Sequence, residues 1–456
     1  MAERQASVVD SLAATDRRRI IHPYLPGGAE DRVVMVRGEG CELWDAGGRR
    51  YLDATGGLWL AQVGHGRAEL ADVARDQMAR LEYFTSFWEF SNDRAVELAD
   101  RLATRAPGAI ERVFFTSGGS EGNDAAIKLA RYYHHELGAA GRNVILSRRT
   151  AYHGVAYGSG TATGIVELQT GFGPLVPDVL HLTQPAPYHA ELFGGEDATA
   201  FCVAELEDTI ARVGADRIAA FIGEPVMGVA GMVVPPDDYW PRIADVLRAH
   251  GILLILDEVV TGFGRTGHWF AADRYGVEPD ILVTAKGLTS GYAPLGAVLV
   301  CEEIGAVVTR GDHGFPMGYT YAGHPVSCAV ALANLAIIER EQLVERAAAV
   351  GAAMFARLQG LAALEVVGDI RHAGLGLAVE LVSDRDARTT LVETARPIPD
   401  VIREETGVIV RESSPGNIVF SPPLVISEAE VEEAVAAAAS VLERVRPDGS
   451  LATGPG

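Results

Sequence analysis

Residues 252–296 read ILLILDEVVTGFGRTGHWFAADRYGVEPDILVTAKGLTSGYAPLG. Two short apolar runs, Ile252–Leu256 and Ile281–Thr284, end close to residues able to do chemistry: Asp257 directly after the first, Lys286 two positions after the second. Apolar runs of this length, bounded by turn residues, read as strands covered on both faces, the pattern of a parallel sheet. The same kind of run recurs at Arg112–Thr116 (RVFFT), Asn143–Ser147 (NVILS), Ala219–Gly223 (AAFIG) and Ala297–Cys301. Helices are expected to begin near Glu121, Tyr239 and Pro325. This alternation predicts an α/β protein whose large domain holds a mostly parallel central sheet.

The periodic, Ala-rich segment 330–356 leads into a C-terminal α+β piece with strands expected at Leu364–Val367, Leu377–Leu381 and Ile418–Phe420. The expected division is an N-terminal segment, 1–70, that joins the small domain; a large domain, 71–329; and a C-terminal small domain, 330–456. Residues 1–15 and the Gly-, Pro- and Ser-rich tail 446–456 read as frayed ends. No internal repeat is visible.

The chain has 456 residues, with 39 basic and 61 acidic side chains and a formal net charge of −22. That balance argues against a nucleic-acid binder, which needs a basic face, and against docking on an anionic membrane. Hydrophobic residues at 48% and charged residues at 22% describe a globular chain rather than a disordered one. Cys41, Cys202, Cys301 and Cys328 are widely spaced, form no C-x-x-C pair and read as buried free thiols in a reducing compartment. No secretory leader opens the chain and no apolar run spans a bilayer, so a cytoplasmic location is expected.

Lysine usage sharpens the search. Lys128 and Lys286 are the only lysines, so nearly all positive charge is arginine. Arginine serves a surface, but its guanidinium does not deprotonate in the working range and cannot act as an amine nucleophile. Lys128 falls in the middle of an expected helix, among helix formers. Lys286 sits at a strand end beside a Gly-rich loop, where burial lowers an amine pKa and suits it to Schiff-base chemistry. A solvated surface amine is the plain alternative, weakened by how few lysines the chain has.

Two further strand ends complete the pattern. In Thr116-Ser117-Gly118-Gly119-Ser120-Glu121-Gly122-Asn123-Asp124 a strand ends, small residues turn the chain and a helix begins. Backbone N–H groups at such a terminus, with the Ser117 and Ser120 hydroxyls, suit a phosphate, although an ordinary capped turn reads the same way. Asp257, after five apolar residues, needs a cationic partner or donors. A protonated pyridine nitrogen would serve, as would a helix cap or a structural ion pair. Ligands of open α/β sheets bind outside the carboxyl ends of the strands, so the phosphate turn, Glu224, Asp257 and Lys286 are expected to converge. Together they describe a pyridoxal-phosphate site, in which the cofactor ring is the electron sink. No metal is expected, and neither a Walker A loop nor a Rossmann fingerprint is present.

From about Pro23 to Leu442 the chain resembles the class III (ω-type) pyridoxal-phosphate aminotransferases, of fold type I (aspartate-aminotransferase-like). The stretches that carry the resemblance are SGGSEGND (117–124), YHG (152–154), GEPVMG (223–228), LDEVVTGFGRTG (256–267), AKGLTSGYAPLGA (285–297) and YTYAGHP (319–325). It implies that Lys286 bonds the cofactor aldehyde and shuttles a proton, and that Asp257 pairs with the ring nitrogen. It implies that Gly119 and Ser120 hold the phosphate, that Tyr152 stacks on one ring face and that Val259 packs on the other. His153 and Glu224 would stand behind these contacts. Thr320 would reach the phosphate of the neighbouring subunit, which makes the expected unit a homodimer.

On the substrate side the resemblance implies an aromatic pocket of Trp59, Phe87 and Trp88, with Tyr152 beside it. It also makes Arg411 a carboxylate-binding arginine that swings away for apolar amines, although the loop 412–417 departs from the family in length and composition. Ornithine-, acetylornithine- and γ-aminobutyrate-type relatives carry Gln and Glu where this chain has Met227 and Val229. That departure points to the amine–pyruvate group, with β-alanine, taurine, diamine or aryl-alkyl-amine donors. The expected reaction is ping-pong transfer from a primary amine or ω-amino acid to a keto acid, pyruvate first. A decarboxylase or aminomutase on the same fold is the main alternative, since the same electron sink serves both. A non-catalytic dimer is a further one, opposed by the intact Lys286 and Asp257.

Overall fold

Alternate residues of the central strands face opposite ways into two apolar clusters, and this is why the inner strands are almost wholly apolar up to their ends. The computed structural model describes residues 2–25, 32–311 and 314–452, with backbone alone for 2–10. Seven strands form the central sheet: β1 (Ile110–Thr116), β2 (Val144–Arg148), β3 (Val179–Leu182), β4 (Ile218–Gly223), β5 (Leu253–Asp257), β6 (Ile281–Thr284) and β7 (Gly296–Cys301). Their order is β1-β7-β6-β5-β4-β2-β3. Only β7 runs against its neighbours, β1 and β6; every other pairing is parallel.

One face of the sheet presents Ile145, Ile222, Ile255 and Val283 to Ile127 and Leu129 of the helix Gly119–Glu136. The other presents Leu146, Phe221, Leu254 and Leu282 to Trp240, Ile243 and Leu247 of the helix Tyr239–Ala249. Each such side chain contributes about 1.5–3 kcal/mol by burial, so the two faces together hold the strand ends in place. In register, Leu256 lies opposite Gly223, Asp257 opposite Val283 and Gly296 opposite Thr116. The chemistry-bearing residues after β1, β4, β5 and β6 therefore leave the sheet along one edge.

Two smaller sheets stand beside that edge. Strands Met35–Glu39, Glu42–Asp45 and Arg50–Asp53 form an antiparallel meander, and Val408–Ile409 pairs in parallel with its last strand. Thus a strand from near the C-terminus completes an N-terminal sheet. The other sheet joins Val367–Ala373, Gly376–Asp384, Asn417–Phe420 and Arg411–Glu412, with Thr389–Thr390 off its side. Further ties from Ser421 N–H to the Ala54 carbonyl and from Leu424 N–H to the Gln62 carbonyl bind the two ends of the chain together.

Several boundaries differ from the expectations. The Leu364–Val367 run is mostly a turn, with Val367 N–H bonded to the Leu364 carbonyl, and the strand begins at Val367. The periodic segment 330–356 falls across two helices: Pro325–Arg340 ends, Gln342 adopts a left-handed φ of 51°, and Leu343–Leu358 follows. Residues 2–19 form a helix rather than a frayed end. The tail is tied down as far as 452, with bridges between Val445 and Leu451; residues 453–456 of it lie outside the described residues. The edge strand β3 carries a histidine and only half-buried side chains over most of its length, which hid it from a search for apolar runs. Lys128 is exposed mid-helix, and no cysteine is disulfide-bonded: Cys41, Cys202 and Cys328 are buried and Cys301 is half-buried. No helix among the described residues is long and apolar enough to cross a membrane.

The junction between the sheets leaves no room for a side chain at Gly374. Its φ is +56°, and a Cβ there would stand 2.4 Å from the Thr266 carbonyl carbon. Gly374→Ala is expected to cost on the order of 3 kcal/mol, from the left-handed backbone and the clash combined. A lower midpoint in urea unfolding, with the central sheet retained in circular dichroism, is the measurement that checks it.

Candidate active site

Asp257 ends β5 with its carboxylate buried, at 4% exposure. One oxygen, Oδ2, accepts from Asn123 Nδ2 at 2.7 Å and lies 2.8 Å from His153 Nδ1, while Oδ1 accepts from Val259 N–H at 3.1 Å. These three contacts fix the orientation of the carboxylate. Asn123 also donates to the His153 carbonyl at 2.8 Å, which ties the helix Gly119–Glu136 to the 150–155 loop. His153 Nε2 and Asn123 Oδ1 are buried without a partner among the described residues.

The phosphate turn stands where that helix starts. Gly119 is the first helical residue, and a Cβ on it would meet Val259 Cγ1 at 2.8 Å. Ser120 Oγ accepts from Val155 N–H at 3.2 Å, and a Cβ on Gly154 would sit 2.5 Å from that oxygen. Only glycine allows these two approaches. Glu224, after β4, is buried, and burial raises its carboxyl pKa. Its Oε1 accepts from Tyr152 N–H at 3.0 Å and its Oε2 from Gly228 N–H at 2.9 Å. Glu224 thus positions two walls of the site by backbone contacts.

Lys286 lies two residues beyond β6, with a left-handed φ of 45°. A lysine in that region is strained, and the strain is held by its surroundings. Asn334 Nδ2 donates to the Gly287 and Leu288 carbonyls at 2.8 and 3.0 Å, clamping the turn from the helix Pro325–Arg340. Burial lowers the Lys286 amine pKa to about 8; the Asp257 and Glu224 carboxylates oppose that shift, and Arg411 and Arg265 add to it. The amine also faces the Trp59 ring, 5.4 Å from its centroid.

These residues enclose a cavity of about 480 Å³. Of the residues expected at the site, Trp59, Gly119, Ser120, Tyr152, His153, Glu224, Val229, Asp257, Val259, Lys286 and Arg411 line it. Arg411 projects from the short strand Arg411–Glu412, and its guanidinium has no hydrogen-bond or ion-pair partner among the described residues. Ser117, Phe87, Trp88 and Thr320 do not line it. Ser117 N–H instead bonds Glu121 Oε2 at 2.8 Å. Phe87, Trp88 and Thr320 gather elsewhere: Phe87 packs on Gly318 and stands 5.8 Å from Trp88, and nearby Tyr83 donates its hydroxyl to the Thr320 carbonyl.

Sequence reasoning left out several lining residues. Asn123 carried a usable signal, since it lies four residues after Gly119 on the same helix face. Tyr24, Leu58, Ile165 and Leu168 come from loops with no local pattern, and only the folded chain brings them to the cavity.

A deep carboxylate, a depressed amine and a glycine-lined helix start in one crevice define an enzyme able to hold pyridoxal phosphate. The residues fit that group: Asp257 faces the cavity with fixed donors behind it, the amine is poised, and the helix start is open to an anion. Comparison with known proteins agrees. Residues 26–442 match the family model "Aminotransferase class-III". The putrescine–pyruvate aminotransferase of Pseudomonas aeruginosa is 38% identical over 90% of this chain and 90% of its own length. An (S)-enantioselective ω-transaminase structure from Thermomicrobium roseum superposes with a TM-score of 0.90 at 47% identity, covering 94% of this chain and 97% of that one. The ω-transaminase of Pseudomonas jessenii, solved with PMP, gives 0.91 at 37% identity, covering 94% and 96%. The chain belongs to the class III aminotransferases: it is a pyridoxal-phosphate-dependent transaminase of fold type I. The relatives are aminotransferases, which favours amino transfer over the decarboxylase or aminomutase alternative.

The lysine count makes the amine testable by itself. In cofactor-free protein, the folded Lys286 loses its proton near pH 8, below the ordinary 10.5. The neutral amine is therefore abundant above about pH 8, and reductive methylation of Lys286 should rise steeply through that pH. Peptide mass spectrometry, with exposed Lys128 as the internal reference, reads the two sites separately. The same shift makes the charged form costly to fold. Folding stability contributed by this group is thus lowest below pH 8 and recovers as pH rises from about 8 to 10.5.

Proposed function

We propose that the chain moves the amino group of a primary amine or ω-amino acid to a keto acid, with pyruvate the main acceptor, by a ping-pong reaction. The observation that carries this reading is Arg411. A guanidinium without a carboxylate partner shares one cavity with Lys286 and Asp257, and suits a bidentate grip on a keto-acid carboxylate. The other walls, Leu58, Trp59, Val229 and Val260, are apolar and suit the carbon chain of an amine. The acceptor of the putrescine–pyruvate relative supports pyruvate here.

The bound cofactor would supply the electron sink that weakens bonds at the substrate's nitrogen-bearing carbon. Asp257 would hold the ring-nitrogen proton, with His153 and Asn123 fixing the carboxylate. Gly119 and Ser120 would bind the phosphate, and Tyr152 and Val259 would flank the ring. Lys286 Nζ, with a pKa near 8, would take the proton from the nitrogen-bearing carbon in the first half-reaction and return one in the second. Trp59, against one side of the amine, would help to keep water off this step. One amine and one pyruvate give one carbonyl product and one alanine, so the two halves balance.

The working unit in this reading is a homodimer. Residues 83–90 and 318–321 meet on the surface as one aromatic patch, with Trp88 at 83% exposure, Tyr321 at 63%, and Phe84 and Phe90 at 45% each. So large an apolar exposure marks an interaction surface. A second copy covering it would receive Phe87, Trp88 and Thr320 at its own cavity. The free cysteines suit a reducing compartment and support a cytoplasmic location.

The visible spectrum of the holoenzyme tests the reaction. A cofactor band that bleaches with an amine alone and returns with pyruvate is expected. A band that no amine bleaches refutes the transfer. Lys286→Ala should keep the fold and lose activity by roughly 10²–10⁴-fold, the usual span for a lost proton-transfer group.

A further inference from the structure

A second, smaller cavity of about 260 Å³ is lined by His189, Ala230, Arg371, Glu380, Ser414 and Asn417 among others. One lining residue is Arg371, on the strand Val367–Ala373, with 13% of its side chain exposed. Nε donates to the Gly231 carbonyl at 2.7 Å, and Nη2 donates to Asn417 Oδ1. Nη1 reaches Asp369 Oδ2 at 2.9 Å and Glu380 Oε2 at 2.6 Å, and the other Glu380 oxygen bonds His189 Nε2 at 2.8 Å.

Both neutral contacts fall on segments that reach the substrate cavity. Gly231 closes the turn that carries Val229: its N–H bonds the Gly228 carbonyl at 3.0 Å, and Met227 bridges Val233 around it. Asn417 closes the hairpin that begins at Arg411: its N–H bonds the Ser414 carbonyl, and its carbonyl accepts from Ser413 N–H. The two segments also touch without slack. Gly231 has a φ of +93°, and a Cβ on it would stand 2.4 Å from Asn417 Oδ1.

We infer that Arg371 is a positioning residue for acceptor recognition: its planar fork bolts the Val229 turn to the Arg411 hairpin and so sets where the Arg411 guanidinium waits for a carboxylate. This rests on the proposed role of Arg411. The buried Glu380 supplies the counter-charge that keeps the fork in the interior, at 1% exposure of its own. Lysine is no substitute, because a point charge satisfies Glu380 but does not bridge Gly231 and Asn417 together.

Two variants, assayed as holoenzyme, test the assignment. Arg371→Lys keeps the charge beside Glu380 and removes the fork; Asn417→Ala leaves Arg371 and Glu380 intact and cuts the link to the hairpin. The two half-reactions are followed separately, with n-propylamine as a donor without a carboxylate and pyruvate as acceptor. Propionate, a competing carboxylate that does not react, gives an equilibrium Kd. In both variants the pyruvate KM and the propionate Kd should rise by about tenfold with kcat nearly unchanged, while the n-propylamine half-reaction stays within about twofold. Where one variant fails to fold, the other decides. Equal losses in the two half-reactions, or no loss in either, overturn the inference while leaving the transaminase reading intact. A wild-type enzyme that bleaches with amine but ignores pyruvate overturns the acceptor assignment and this inference with it.

Discussion

A carboxylate at the end of a fully apolar strand is an expensive thing to fold, and much of this structure follows from accommodating one. Asp257 is buried at the end of its strand, and a buried polar group needs hydrogen-bond partners. Asn123, His153 and the Val259 N–H supply the donors from three different segments. The helix Gly119–Glu136, the 150–155 loop and the turn after β5 are thereby locked together. One side of the carboxylate still faces the cavity.

Lys286 answers this with the opposite problem. Burial drives its amine toward the neutral form while Asp257 and Glu224 pull it back, and the balance falls near pH 8. A neutral amine is a nucleophile and a base; an ammonium is neither. The left-handed backbone at Lys286, clamped by Asn334, aims the side chain across the cavity rather than into solvent. Local strain is thus offset by contacts from a helix forty residues further along the chain.

The substrate side is organised differently. The residues proposed to hold the cofactor leave the rigid central sheet at strand ends, whereas those proposed for the substrate, Trp59, Val229 and Arg411, come from the kinked turn Gly56–Trp59, the Val229 turn and the short hairpin. Sites on sheet edges hold geometry; sites on loops allow change between relatives. The division explains how one electron sink serves many amines. It also explains why a polar clamp such as Arg371 matters: loops that bind substrate need something rigid behind them.

The fold class and the strand-end residues Asp257 and Lys286 that line the cavity were legible in the sequence because both depend on local order. Short apolar strands alternate with helices, and Asp257 and Lys286 mark strand ends by position alone. Having only two lysines made the second almost unavoidable. Boundaries were less legible where polarity and burial disagree, as at β3 and the Leu364–Val367 turn. Asn123 was within reach of helical periodicity, but Tyr24, Leu58, Ile165 and Leu168 were not, since they meet the cavity only through long-range packing. What the linear chain by itself determined is the family and its cofactor, and it pointed to strand-end residues such as Asp257 and Lys286 that the fold gathers in one cavity, because each lies beside a recognisable local break in structure. Only the tertiary structure decided the shape of the substrate cavity, the partnerless state of the Arg411 guanidinium and the Arg371 clamp. Those depend on contacts between residues separated by tens to hundreds of positions, where no local pattern records them.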